Sequence, residues 1–188
     1  DVERWTARPL GSCARPPLKH EPLDGQEALI VDRNDPYDLN RFMRAQAQNY
    51  DQALSEIRAG RKRSHWMWYV FPQFAGLGFS PTSQRYAIKS IAEAEAYLRH
   101  PFLGRRLVEC CEAAVGVNGL SASDLFGSPD DMKLQACATL FARVSAPGSV
   151  FERLLGKFFE GMQDQRTLQL LGSTPETRSG DRDGNDSR

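Results

Sequence analysis

The sequence has few of the residues that assemble metal and redox centres. Its three histidines, His20, His65 and His100, lie far apart, and its four cysteines, Cys13, Cys110, Cys111 and Cys137, contain no C-x-x-C pair. That spacing argues against a zinc or iron–sulfur site, and no motif calls for a metal or any other cofactor. Cys110 and Cys111 are neighbours on a segment of helical period, where adjacent side chains diverge. They are expected to be buried free thiols, which suits a reducing cytoplasm. Long apolar runs are missing too. The longest, Trp66 to Phe71, is far too short to span a membrane, and the first residues lack the basic-then-apolar pattern of a signal peptide. Net charge is the third absence: 24 basic and 24 acidic side chains sum to +0. A neutral chain offers no whole-molecule field to draw in nucleic acid, a membrane surface or an acidic substrate.

What remains is ordinary globular material: 188 residues, 40% hydrophobic and 26% charged, enough for one core. Residues 1–35 carry Pro9, Pro16, Pro17 and Pro22 with no sustained period, which predicts a Pro-rich linker or disordered extension. Residues 172–188 are Gly, Ser, Asp and Arg with hardly an apolar side chain, and predict a disordered polar tail. A single domain is therefore expected over 36–171, with no internal repeat.

Within 36–171 the 3.6-residue period dominates. Leu39, Phe42, Met43, Tyr50, Ala53, Leu54 and Ile57 follow it and stop at Gly60, the residue type that a left-handed C-cap requires. Ser90 with Glu93 forms the pattern of a capping box before Ile91, Ala94, Tyr97 and Leu98, and His100-Pro101 ends that helix. Leu103, Leu107, Cys110, Cys111 and Ala114 mark the next. Ser121 with Asp124 opens a short turn, and Ser128 as N-cap with Pro129 in the first helical position opens a helix carrying Leu134, Cys137, Phe141 and Val144. Val150, Phe151, Leu154, Leu155, Phe158, Phe159 and Met162 repeat the pattern. No stretch alternates convincingly at period two. The expected fold is all-α, a single compact array of about six to eight helices without a significant sheet.

One window departs from the average. Between Glu56 and Glu93 there is no carboxylate, while Arg58, Arg61, Lys62, Arg63, Arg85 and Lys89 supply six cations. The same window holds Trp66, Trp68, Tyr69, Phe71, Phe74, Phe79 and Tyr86. Ser64 precedes a short apolar run as an N-cap would, and Ser80-Pro81 repeats that grammar. A helix start presents free N–H groups and the positive end of its dipole. An acid usually offsets them, as Asp130 and Asp131 do after Pro129, but neither start in the window has one. This predicts an anion pocket with aromatic walls. The competing reading makes Trp66 to Phe71 a buried short helix ended by Pro72, or a strand of the same length, with Trp66 and Trp68 in the core. Gly76-Leu77-Gly78 lacks the G-K-[ST] of a phosphate loop.

The string from Gly60 to Gln73, with its H-W-M-W-x-x-F-P-Q core from His65, resembles the signature of a bacterial domain family of unknown function, number 1810. The resemblance continues through Ser80 to Ile88, Phe126 to Leu134 and Thr139-Leu140-Phe141, and reaches Asp164 with Thr167-Leu168, covering about Asp38 to Leu171. It implies a small, mainly helical domain and no established activity. Some members carry the label calpastatin; a calpain inhibitor of that name is a disordered repeat chain, and this sequence has no such repeats.

Three functions from different classes fit these residues. The leading one is a small-ligand site, enzymatic or sensory, for an anionic, ring-bearing metabolite such as a nucleotide. Arg63, Ser64 and Ser80 would hold phosphate, Trp66, Trp68 or Tyr86 would stack, and His65 or Gln73 would hydrogen-bond the recognised group, with Arg85 and Lys133 as further cations. For catalysis His65 is the best candidate, being the one side chain in the window that titrates near neutrality; its partner carboxylate would come from Glu109, Glu112 or Asp130. The alternatives are a protein-interaction or structural module without catalysis, and a single-strand nucleic-acid binder. A net charge of only +3 over 36–171 and the lack of a reader motif argue against the last.

Overall fold

A computed structural model describes residues 35–173. The expected linker over 1–35 and tail over 172–188 thus lie almost wholly outside the described residues, and so does Cys13. The chain forms α1 (Asn40–Arg58), α2 (Met67–Val70), α3 (Pro81–Arg85), α4 (Ile91–Arg99), α5 (Leu103–Gly116), α6 (Ala122–Phe126), α7 (Asp130–Ala142), α8 (Val150–Phe159) and α9 (Gln165–Ser173). Among the described residues there is no strand; the one extended pairing is an isolated parallel bridge between Phe74 and Ile88. The all-α expectation holds, with one helix more than its upper count.

The helix ends follow local chemistry. The Asp35 carboxylate accepts the Leu39 and Asn40 N–H groups, each at 2.7 Å, and so caps the entry to α1. Gly60 leaves α1 at φ +74°, as its glycine predicts. Ser90 Oγ accepts the Glu93 N–H, and Ser121 with Asp124 completes a full capping box.

Four boundaries differ from the sequence reading. The Ser64 hydroxyl caps no helix: α2 starts at Met67 with Trp66 as its cap. Pro129, at φ −95° and ψ 20°, lies outside the helix and is itself the cap of α7, so Ser128 is not. Glu160 and Gly161 both take positive φ, which stops α8 and leaves Met162 beyond it, exposed. Helix α9, with no long apolar period of its own, is started by Asp164, whose carboxylate accepts the Thr167 N–H at 2.7 Å and hydroxyl at 2.5 Å.

Helix α7 is the buried centre. Leu134 and every residue from Ala136 to Phe141 are buried, and α4, α6, α8 and α9 pack around it. Phe141 lies between Tyr97 and Phe151, at ring distances of 5.4 and 5.5 Å. Helices α1 and α5 pair with each other, and Phe42, Ile57, Leu103 and Leu107 on them are buried. The tight α4–α5 corner needs Gly104, where a Cβ would stand 1.9 Å from the Leu98 carbonyl oxygen. Cys110, Cys111 and Cys137 are buried free thiols, as expected, and burial raises the pKa of each.

Helix α1 also carries polar side chains into the interior. Arg41, 6% exposed, donates from Nη1 to the Tyr37 and Asp38 carbonyls, from Nε to Arg85 O and from Nη2 to Ala87 O. Its Nη2 also meets the buried Glu93 carboxylate at 2.5 Å, and the other oxygen of Glu93 accepts the Lys89 N–H at 2.8 Å. Gln46, 1% exposed, donates to Tyr69 O at 2.7 Å and to the Tyr97 hydroxyl at 3.1 Å. Removing one partner of a buried ion pair strands the other charge. Glu93→Ala is expected to cost about 3–5 kcal/mol in denaturant unfolding. An unchanged midpoint would show that Arg41 is adequately satisfied by the four carbonyls.

Candidate functional site

The loop after α1 doubles back on the helix that precedes it. From Gly60 the chain turns, the Lys62 N–H donates to Leu125 O at 2.8 Å, and the next residues close on Glu56. One Glu56 oxygen accepts the Arg63 N–H at 2.8 Å, the Ser64 N–H at 3.1 Å and the Trp66 indole N–H at 2.8 Å; the other accepts the Ser64 hydroxyl at 2.5 Å. Burial favours the neutral acid, but these four donors together outweigh it and hold the Glu56 carboxyl down to about 2. The anion position expected at Ser64 is therefore taken by the protein's own carboxylate. It comes from the last residue before the acid-free window, seven to ten residues from its partners. Trp66 is a core residue, 1% exposed, with its ring against Phe71 and Phe126 at 6.2 and 6.3 Å.

On the outer side of this loop two lysines meet one carboxylate. Lys62 Nζ lies 2.7 Å from one oxygen of Asp130 and Lys133 Nζ 2.6 Å from the other, in a setting that leaves these side chains between 10% and 21% exposed. Each ammonium also lies over an indole, Lys62 over Trp66 at 5.2 Å and Lys133 over the half-buried Trp68 at 4.7 Å. Burial pushes the Asp130 pKa up, yet the hydrogen bonds and charges of Lys133 and Lys62 prevail and hold it below the usual carboxylate value. The two lysines and Asp130 form a triad of two cations on one anion, with a second carboxylate, the partly buried Asp131, beside it in the first turn of α7. Sequence reasoning singled out Trp66, Trp68 and Lys133 and missed Lys62 as their partner. The Asp130 to Lys133 spacing of three on a helix was a legible signal; Lys62 is joined to them only by the fold.

The other candidates fall elsewhere. Arg85 and Tyr86 gather with Tyr69: the Tyr69 and Tyr86 rings are 5.4 Å apart and the Arg85 guanidinium lies 5.7 Å from the Tyr86 ring. The Tyr69 hydroxyl donates to the His65 carbonyl at 3.2 Å, while the His65 side chain is exposed. Among the described residues no carboxylate hydrogen-bonds the imidazole. Glu109 accepts from the Tyr50 hydroxyl and Arg58, Glu112 pairs with Arg153, and Asp130 holds the two lysines. Arg63 is exposed, and Gln73 contributes its carbonyl to the Ile88 N–H. Ser80 does cap α3, accepting the Ser83 N–H at 3.1 Å, with Pro81 as the first helical residue and no acid in that turn. Two clefts, of about 300 Å³ beside Tyr37 and His100 and about 600 Å³ beside Gly60 and Gly116, include none of the candidate ligand residues. No metal-holding group of His, Cys, Asp and Glu occurs among the described residues, and no helix there is long and apolar enough to cross a membrane.

The model of the family described as "Protein of unknown function (DUF1810)" matches residues 36–171, which span all nine helices up to the last two residues of α9. The chain belongs to that family. The chain is also similar to the crystal structure of the conserved hypothetical protein Rv1873 from Mycobacterium tuberculosis, with 51% sequence identity. It superposes with a TM-score of 0.73 over 74% of this chain and 100% of that one. No curated protein matches the chain in sequence. In this DUF1810 domain the window between Glu56 and Glu93 combines six cations and seven aromatic residues with no carboxylate.

The Glu56 cradle has a consequence for acid stability. A carboxyl whose folded pKa is about 2, against an ordinary 4.5, stabilises the fold fully above pH 4.5, and that contribution disappears as pH falls through 4.5 towards 2. Urea unfolding between pH 2 and 7 should therefore show stability rising with pH across this interval, with Glu56→Gln flattening part of the rise. Superimposable profiles for the two proteins would contradict the role given to this carboxylate.

Proposed function

We propose that the domain binds a small anionic metabolite bearing an aromatic ring, of the nucleotide type, on the face made by Lys62, Lys133 and Trp68. The observation that carries this reading is the convergence of both ammonium groups on the single Asp130 carboxylate beside an indole that is only half-buried. An ammonium has three donors, and Asp130 engages one from each lysine, so a phosphate or carboxylate can join the cluster without displacing Asp130. Its charge would meet two ammonium groups that share one carboxylate in a partly desolvated setting, where attraction is stronger than in water. Trp68 offers the flat face on which a base or similar ring stacks. Arg63 and His65 are exposed on the adjoining loop, and in this reading they add a charge and a hydrogen bond. Arg85 and Tyr86 pack with Tyr69, Gln73 bonds Ile88 and Ser80 caps α3; none of the four is needed for this contact. Among the described residues no carboxylate orients His65, which favours recognition over general-base chemistry.

A thermal-shift panel of nucleotides and dinucleotides at millimolar concentration tests the proposal. A ligand at a thousandfold excess over Kd adds about 4 kcal/mol, on the order of 10 °C in Tm for a chain of this size. Lys133→Ala and Trp68→Ala should each remove most of the shift while leaving the unliganded Tm within a few degrees. No stabilisation by any member of the panel would reject the reading. A second reading, a protein-interaction module, is favoured by Phe79, Met132 and Met162, which are 79%, 60% and 59% exposed. For that module, Phe79→Ser would abolish partner capture and leave any nucleotide shift intact.

A further inference from the structure

We propose that Glu56 is the positioning residue of the Lys62–Lys133 face: its carboxylate gathers Arg63, Ser64 and Trp66 and thereby fixes the loop that delivers Lys62 to Asp130. The proposal rests on the ligand reading above for its functional meaning but is anchored in geometry of its own. Lys133 and Asp130 share the first turn of α7, so their contact is local and survives whatever the loop does. Lys62 reaches the same carboxylate from 68 residues earlier in the chain. Besides that ion pair, it is held by its own Leu125 contact, by the Trp66 ring beneath it, by the Arg61 N–H on the Glu56 backbone carbonyl just before it and by the residues that follow it. Of those residues, Arg63, Ser64 and Trp66 all end on Glu56.

The shape of the carboxylate matters as much as its charge. One oxygen takes three donors and the other takes the Ser64 hydroxyl at 2.5 Å. A glutamine can keep its carbonyl on the three-donor side and turn its amide towards the hydroxyl, which accepts as well as donates. It should preserve the loop in part. An alanine leaves four donors converging on an empty position, two of them backbone and one the buried indole. The loop must then open to water to satisfy them, carrying Lys62 with it.

The test is competitive acetylation of lysines in the full chain, read by mass spectrometry at Lys62 and Lys133, with circular dichroism to confirm the fold. In Glu56→Ala the labelling rate of Lys62 should rise several-fold while that of Lys133 stays near its wild-type value. Formate, at matched ionic strength against chloride, should slow Lys62 labelling again by filling the vacated carboxylate position. Glu56→Gln should lie between wild type and alanine, and it serves as the test variant if alanine does not fold. An unchanged Lys62 rate in a folded Glu56→Ala or Glu56→Gln protein overturns the proposal; so does an equal rise at both lysines, which marks general loosening. If nucleotides fail to stabilise wild type while Lys62 labelling still depends on Glu56, the ligand reading falls and the positioning role stands. If both hold, nucleotide stabilisation should vanish in Glu56→Ala and return with formate.

Discussion

An irregular segment laid against a core has to find hydrogen-bond partners for a backbone that neither helix nor sheet satisfies. In this domain α1 provides them. Glu56 holds the start of the window at Arg63, Ser64 and Trp66, Gln46 holds its middle at Tyr69, and Arg41 holds its far leg at Arg85 and Ala87. The three side chains lie along about four turns of one helix, and they take the window in reverse order. Most of the buried placement of the aromatic residues follows from this. Trp66 enters the core because its indole nitrogen has a carboxylate to meet, and the Phe74–Ile88 bridge stays closed because Arg41 grips the residues just before Ile88.

The absence of acids in the window thus acquires a structural meaning. A carboxylate inside the segment would compete with Glu56 for the same donors or sit against the Arg41–Glu93 pair. The two acids that flank the window, Glu56 and Glu93, are instead the two that hold it in place, one at each end. The cations left on the outside are a different population. Lys62 and Lys133 gather on Asp130, Arg85 lies over Tyr86, and Arg61 and Arg63 face solvent. Separation of the two populations allows a neutral chain to gather lysines beside an indole on one face.

Much of the fold was legible from the residues. The apolar periods located α1, α4, α5 and α8, and the end of α1 was visible in Gly60 because few residues other than glycine tolerate φ +74°. Capping serines were read correctly where the partner lay within one turn, as at Ser80, Ser90 and Ser121. Ser64 was misread because its hydroxyl serves a residue eight positions earlier rather than a helix ahead of it. Glu93 was read as a capping residue, and its larger part, the contact with Arg41 across 52 residues, was not visible. Of the candidate site, Trp68 and Lys133 lie together in one cluster, Trp66 turned inward, and Asp130, read as a helix-start acid or a partner for His65, instead holds Lys62 and Lys133.

The sequence by itself determined the helical class, the residues that resemble its family, the absence of a metal-ligand pattern, and the window in which cations and aromatics occur without acids. These are properties of composition and short-range period, and helices, turns and caps are made by residues a few positions apart. Only the tertiary structure decided which charges neutralise one another. An ion pair or a shared carboxylate joins side chains by distance in space, and Glu56, Lys62 and Asp130 are brought into one arrangement by a turn at Gly60 and by the packing of α6 and α7 on the loop that follows it.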